Sequence, residues 1–230
     1  YVAAGLDFLL YCDQACITIP PSIWTADLAP MAEFVDINAW YDPWLQMTEA
    51  ALVTERVRIN VTACDVLRRT PFVLAQLAMT LDNYAKGRFT LTLGAGEIKQ
   101  FKPYGLERDR PFGRLEEAIQ ILKLLWSTNE PVSREGRFWT LENALLAAPT
   151  YSEGGPELLI AGGPGKAIRF GAQLADGWTT YYPGSGPAEE YAELVSQFRR
   201  LGDEVDRDTS ESTVMFTPCV VLGDDVDAVE

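Results

Sequence analysis

Thr70-Pro71-Phe72-Val73-Leu74-Ala75-Gln76-Leu77-Ala78-Met79-Thr80-Leu81-Asp82-Asn83-Tyr84 runs through Ala85-Lys86-Gly87-Arg88 into Phe89-Thr90-Leu91-Thr92-Leu93-Gly94-Ala95-Gly96-Glu97, and this stretch decides the fold. Thr70 is a good helix N-cap, and Pro71 suits the first helical position because its missing N–H is not needed there. Leu74, Leu77, Ala78, Leu81 and Tyr84 recur at helical spacing and form one apolar face. Lys86-Gly87 stops the helix. Phe89 to Leu93 alternates with threonines, which is strand chemistry. The strand ends in Gly94-Ala95-Gly96-Glu97, a carboxylate behind glycines that let a flat ligand approach the backbone. That is where α/β folds place their chemistry.

Working outward, strands and helices alternate along the chain. Strand-like stretches are Leu6–Cys12, Arg58–Thr62, Phe89–Leu93, Glu157–Ala161, Trp178–Tyr182 and Val214–Leu222. Helices are expected after Asp42-Pro43, after Pro111 with a face of Leu115, Ile119, Leu122 and Trp126, over Ala167–Leu174, and over Glu189–Leu201. Ala15–Tyr41, rich in proline and tryptophan and without periodicity, reads as a loop or lid. Ile98–Arg110 is a second loop. Glu130–Thr150 is irregular, with a small hairpin at Gly136–Thr140. The alternation means a parallel sheet, in a barrel or an open doubly wound form.

The bulk numbers narrow the function. A chain of 230 residues with 47% hydrophobic content is long enough to bury a core as one α/β domain. A net charge of −14 argues against nucleic acid and anionic membrane surfaces as partners. No apolar run approaches a membrane span and no leader is visible, so a cytoplasmic enzyme is expected. There is no histidine, which removes histidine-based triads and the usual Cys/His zinc sites. Cys12, Cys16, Cys64 and Cys219 show no metal spacing and read as free thiols in a reducing compartment.

Three motifs carry chemistry. Gly162-Gly163-Pro164-Gly165-Lys166 joins a strand to a helix N-terminus, where exposed N–H groups and the helix dipole favour an anion. It is either a phosphate turn or an ordinary glycine turn, and Lys166 and Arg169 favour the former. It is not a Walker loop, since Ile160 and Ala167 occupy positions that motif needs as Gly and Ser or Thr. Gly94-Ala95-Gly96 lacks the third glycine of a dinucleotide fingerprint, with Lys99 in its place. Asp13-Gln14, at the end of a strand, is a polar catalytic pair or a strand terminator. Arg68-Arg69 grips an acidic cofactor tail or is a solvated turn, and solvated turns are commoner.

Taken in order, these pieces resemble the luciferase-like superfamily of flavin and deazaflavin oxidoreductases. The resemblance rests on Arg68 to Gln76, Gly87-Arg88-Phe89 through Glu97, Phe138-Trp139-Thr140, Ala161-Gly162-Gly163-Pro164 and Ala175-Asp176-Gly177-Trp178. Gly96-Glu97 and Ala161 to Pro164 resemble the branch that uses coenzyme F-420, a 5-deazaflavin. Asp13-Gln14-Ala15, Ile19 to Thr25 and Lys99 to Gly105 are similar to its phthiodiolone ketoreductase-like members. The resemblance implies a (β/α)8 TIM barrel, here one domain over residues 1–230. It implies an incomplete barrel, because Tyr1–Gly5 matches the end of the first helix and Val214–Leu222 the seventh strand. Leu6–Cys12 and Val214–Leu222 are then edge strands, which invite aggregation.

The resemblance further implies that Val61, Thr62 and Ala63 form a bulge, often with a cis peptide, that backs the deazaflavin ring. Ala161, Gly162, Gly163 and Pro164, with Gly177, Trp178 and Thr179, hold the coenzyme phosphate. Glu97, Asp13 and Gln14 are the candidate catalytic residues. Many members carry Asp-His where this chain has Asp13-Gln14, and an amide cannot take a proton near neutral pH. The expected activity is hydride transfer between F-420 and an organic carbonyl or alkene. FMN-dependent monooxygenation on the same barrel is the alternative, and a non-catalytic flavin-binding barrel is the third reading. The tryptophans and aliphatics of Ile17–Trp40 suggest a bulky apolar substrate, and a homo-oligomer is expected at full length.

Overall fold

The computed structural model describes residues 5–17, 19–181 and 186–217. The chain divides into two compact units, Tyr1–Leu158 and Leu159–Glu230, and each is described by itself. The helix end expected at Tyr1–Gly5 lies, apart from Gly5, outside the described residues, as do Tyr182, Cys219 and the last part of Val214–Leu222.

The first unit is built on β1 (Phe8–Tyr11), β2 (Arg58–Asp65) and β3 (Phe89–Gly94), which run parallel. Leu9 lies opposite Ile59, and Ile59 opposite Phe89. Ile59, Val61, Phe89, Leu91 and Leu93 are all buried, alternating with the polar Asn60, Thr90 and Thr92. That alternation gives one apolar face for the helices and one polar face. On the polar face Thr92 Oγ1 donates to Asn60 Oδ1 at 3.0 Å. Glu157 Oε2 accepts from Thr90 Oγ1 at 2.7 Å and pairs with Arg58 Nη2 at 2.5 Å. β2 runs three residues past its expected end. Val61 and Cys64 oppose Leu91 and Leu93, so β2 carries one extra residue there, and the Thr62–Ala63 peptide is cis. The bulge sits where the resemblance put it.

The helices α1 (Pro43–Val53) and α2 (Pro71–Ala85) follow β1 and β2. Asp42 caps α1 by accepting the Trp44 N–H at 2.9 Å. Thr70 is extended at the N-cap of α2 but its hydroxyl makes no cap bond, so Pro71 alone carries that start. Lys86 (φ 53°) and Gly87 (φ 78°) end α2 in the left-handed region, and Gly87 N–H returns to Asp82 C=O at 3.1 Å. Arg88 then fills four acceptors. Nη1 donates to Val57 C=O at 2.7 Å and Thr54 Oγ1 at 3.0 Å, and Nη2 to Thr54 C=O at 2.9 Å and Ala51 C=O at 3.1 Å.

The helix α3 (Pro111–Trp126) buries Leu115, Ile119, Leu122 and Trp126 as its spacing requires. The hairpin is a correction. Its strands are β4 (Val132–Arg134) and β5 (Leu141–Ala144), so the expected Gly136–Thr140 is the connection between them. Glu117 shapes that connection. Its carboxylate accepts N–H groups from Arg137 at 3.0 Å, Phe138 at 3.1 Å and Trp139 at 2.9 Å. A Cβ on Gly136 would lie 2.1 Å from Glu117 Oε1, which is why glycine stands there.

The strand β6 (Glu157–Ala161) begins in the first unit and ends in the second. In the second unit it runs parallel to β7 (Gly177–Thr180), which pairs with β8 (Thr213–Phe216). The helices α4 (Lys166–Leu174) and α5 (Ala188–Asp203) connect them. Trp178 is fully buried and meets Phe216 edge-on at 6.0 Å. A Cβ on Gly177 would sit 2.0 Å from Thr213 C=O, so close strand approach fixes the glycine before Trp178. The architecture is α/β, with six parallel strands among the described residues where a closed (β/α)8 barrel has eight. β1 pairs with β2, and β8 with β7.

One buried acid gives a test of this packing. Asp82 is fully buried on α2, and Oδ2 accepts the Ser152 N–H at 3.0 Å while Oδ1 has no partner among the described residues. Burial pushes its pKa up, against the bonds from Ser152 that pull it down. A raised folded pKa means the carboxyl supports folding when protonated and loses that support as pH rises through the folded value. Asp82→Asn keeps an acceptor for Ser152 and removes the charge. It should melt above wild type at neutral pH, with the gap closing as pH falls towards the unfolded pKa of about 3.9. A gap that is constant with pH in calorimetric scans would contradict this.

Candidate functional site

The C-terminal ends of β1, β2 and β3 hold the polar residues of the first unit. Asp13 follows β1 and is 2% exposed. Arg69 donates Nε to its Oδ2 at 3.0 Å and Nη2 to its Oδ1 at 3.3 Å. Arg68 donates Nη2 to the Asp13 C=O at 2.5 Å and brings Nη1 to Oδ1 at 3.6 Å. The same Arg68 pairs through Nε with Asp65 Oδ2 at 2.5 Å. Asp65 Oδ1 in turn accepts the N–H groups of Leu67 at 3.0 Å and Arg68 at 2.8 Å, which closes the turn after β2. Arg69 reaches Asp42 Oδ2 at 2.8 Å and so joins this cluster to the cap of α1.

The electrostatics follow from the partners. Burial works against the charge on Arg69, but the bonds and charges of Asp13 and Asp42 win and hold its pKa above normal. Burial also works against Asp42, and the bonds from Arg69 and the Trp44 N–H more than offset it, leaving Asp42 below the usual carboxylate range. Burial pushes the Cys64 thiol well up, and the adjacent Asp13 charge adds to the rise. Cys64 is therefore held as a thiol, not a thiolate.

Gln14 lies between fixed neighbours. Its Oε1 is buried and has no partner among the described residues. Asn60 Nδ2, on the polar face of β2, is a second buried orphan. Such groups cost free energy unless something else satisfies them. Glu97 stands past β3, with its side chain 59% exposed and Oε2 at 3.1 Å from Lys99 Nζ. Gly96 ahead of it has φ 71°, and a Cβ there would lie 2.2 Å from the buried Phe101 ring.

In the second unit Gly162-Gly163-Pro164-Gly165 links β6 to α4. Gly162 N–H donates to Thr179 C=O at 3.1 Å, and Trp178 Nε1 donates to Gly162 C=O at 2.9 Å. Gly177, Trp178 and Thr179 thus support the turn from β7. Gly165 has φ 117°, and a Cβ at Gly163 or at Gly165 would meet nothing within 4 Å. The turn is open, with room for a group to approach the backbone.

The structure places Asp13, Gln14 and Glu97 just past strand ends of the first unit, Val61, Thr62 and Ala63 at the bulge within β2, and Ala161 to Pro164 with Gly177 to Thr179 at one turn of the second. Arg68 and Arg69, expected as a solvated turn, are instead the counter-charges of Asp13 and Asp65. A signal was present. The first 55 residues hold eight acidic residues and no Lys or Arg, so a buried acid there must find its cation later in the chain. Gln100, which binds the main chain beyond Gln14, had no such signal.

Comparison with known proteins adds to this geometry. The luciferase-like monooxygenase family matches residues 22–230. The phthiodiolone/phenolphthiodiolone dimycocerosates ketoreductase of Mycobacterium tuberculosis strain H37Rv is 32% identical over 98% of this chain, which spans 60% of that relative's length. An F-420-dependent secondary alcohol dehydrogenase, solved with an adduct of F-420 and acetone, superposes with TM-score 0.75 at 22% identity. The match covers 94% of this chain and 61% of that one. A long-chain alkane monooxygenase superposes with TM-score 0.78 at 18% identity, over 99% of this chain and 56% of that one.

Gly96 gives the local test. Alanine there meets both a left-handed φ and the Phe101 ring. Gly96→Ala should lose about 2–3 kcal/mol of stability in denaturant titrations. An unchanged midpoint would show that the loop carrying Glu97 is not set by this contact.

Proposed function

Because the chain belongs to the luciferase-like monooxygenase family, we propose that it is an oxidoreductase using coenzyme F-420 to move a hydride to or from an organic carbonyl. The observation that carries this reading is the ketoreductase relative, alike over nearly the whole chain. The alcohol dehydrogenase of like fold, with F-420 and acetone, supports the same carbonyl–alcohol couple. The residues present fit such a coenzyme. Gln14 Oε1 and Asn60 Nδ2 are buried and have no partner among the described residues, and the turn at Gly163 is open.

In this reading Ala161, Gly162, Gly163 and Pro164 take the phosphate, with Gly177, Trp178 and Thr179 holding the turn in shape. Val61, Thr62 and Ala63, at the bulge of β2, back the ring. When bound, the deazaflavin supplies a hydride donor or acceptor in which carbon replaces the oxygen-reactive flavin nitrogen. Hydride delivery to a carbonyl leaves a proton to be placed on its oxygen. Glu97 is the ionisable group assigned to that proton, and its Oε2 lies 3.1 Å from Lys99 Nζ. Gln14 orients by hydrogen bonding. Asp13, with both oxygens taken by arginines, holds the strand end that carries Gln14. A bulky apolar substrate is supported by Leu28, Met31 and Phe34, exposed by 69%, 57% and 83% on the loop after β1.

Titration of the protein with F-420 and with FMN tests the assignment. Saturable binding of F-420 is expected. FMN binding alone would favour the monooxygenase reading, and binding of neither would leave no redox coenzyme. Gly163→Leu places a side chain in open space, so folding is kept while backbone approach is blocked. Its affinity for F-420 should fall by tenfold or more (about 1.4 kcal/mol), and unchanged affinity would remove the turn from the site. Glu97→Gln should keep coenzyme affinity and lose about 10²–10⁴ in turnover. Full turnover in that variant would make Glu97 a spectator.

A further inference from the structure

Gln100 sits in the short 3-10 turn Ile98–Gln100, three residues after Glu97, and is 3% exposed. Its side-chain amide engages two successive main-chain groups of the segment after β1. Oε1 accepts the Ala15 N–H at 2.9 Å, and Nε2 donates to the Cys16 C=O at 2.5 Å. Its own N–H donates to the Glu97 C=O at 2.9 Å. On the other side of Gln14, the Asp13 C=O is held by Arg68 and the Asp13 carboxylate by Arg69. The main chain is thus fixed at 13, 15 and 16, and Gln14 between them carries an amide oxygen with no partner among the described residues.

A buried glutamine that satisfies two loop groups has a stabilising role in any protein. The arrangement here does more, because the loop it anchors holds Gln14 and the turn it belongs to starts at Glu97. We propose that Gln100 is a positioning residue that fixes Gln14 in register with Glu97. This rests on the reading that places Gln14 and Glu97 beside the reacting groups.

The test has a structural arm and a kinetic arm. Gln100→Met keeps the bulk and removes both bonds. Amide exchange at Ala15 should speed by about tenfold or more, as expected for loss of one hydrogen bond, while exchange in β3 stays at the wild-type rate. The Gln14 side-chain amide, followed by nitrogen relaxation, should become more mobile. Unchanged exchange and unchanged relaxation would overturn the proposal whether or not F-420 is the coenzyme. In the kinetic arm, Gln100→Met should lower kcat by about 10²-fold, the scale of an ångström-sized misplacement. In a Gln14→Ala background the same substitution should cost less than about twofold, because the two act as one unit. Equal cost in both backgrounds would overturn the coupling. If wild type reduces no carbonyl with F-420, the functional reading fails and the structural arm still decides. Should Gln100→Met not fold, Gln100→Glu serves. It keeps the acceptor for Ala15 and regains a donor for Cys16 only when protonated. Ala15 protection relative to wild type should therefore rise as pH falls, and protection indifferent to pH would count against the anchor.

Discussion

The guanidinium of Arg88 is the constraint on which the first unit depends. A helix ends with carbonyls that have no partner within it. For α1 these include Ala51, and Thr54 follows directly; both face protein. Arg88, arriving from the end of α2, fills them and also binds Val57 at the entry to β2. Its own carbonyl accepts the Ile59 N–H at 2.9 Å. One residue thus closes a helix, starts two strands and sets their register. The register decides which residues emerge at the far ends of β2 and β3, so a contact at one end of the sheet places the polar groups at the other. Lysine could not do this, because one ammonium cannot span acceptors laid out for a planar fork.

A second constraint is charge. The acid-rich start of the chain meets its first cations at Arg56 and beyond. Asp13 is buried, and a buried carboxylate needs a partner that brings hydrogen bonds as well as charge. Arg68 and Arg69 supply both. Arg69 also lies over the Trp44 ring at 5.8 Å, so α1, the end of β1 and the turn after β2 share one electrostatic joint. The joint holds the Asp13-Gln14 pair firmly at its first member, and among the described residues the second is left with a group that has no partner.

What could be read in the sequence follows from locality. The helix from Pro71 to Ala85, its stop at Lys86-Gly87 and the strand after it stand where expected, except that Tyr84, expected on the apolar face, is 49% exposed while Ala75 and Met79 are buried. The glycine turn after β6 was legible from its own residues, and the bulge at Val61–Ala63 through resemblance. The hairpin was misplaced because Phe138-Trp139-Thr140 has strand-like composition, while its conformation is dictated by Glu117 about twenty residues earlier. Nothing local announces a carboxylate that gathers three N–H groups from elsewhere. Gln100 escaped for the same reason. Side-chain amides that bind distant main chain have no sequence period.

Cys64 has a practical consequence. Its sulfur lies at the last part of β2, fully out of solvent and protonated. The thiolate, not the thiol, attacks thiol reagents, so in the closed state this cysteine is doubly shielded, by depth and by protonation. Its labelling must wait for the strand ends to part. The rate at which a disulfide reagent consumes that one sulfur is therefore a clock for local opening. The molecule carries, beside its own reactive groups, a built-in probe of how often that neighbourhood breathes.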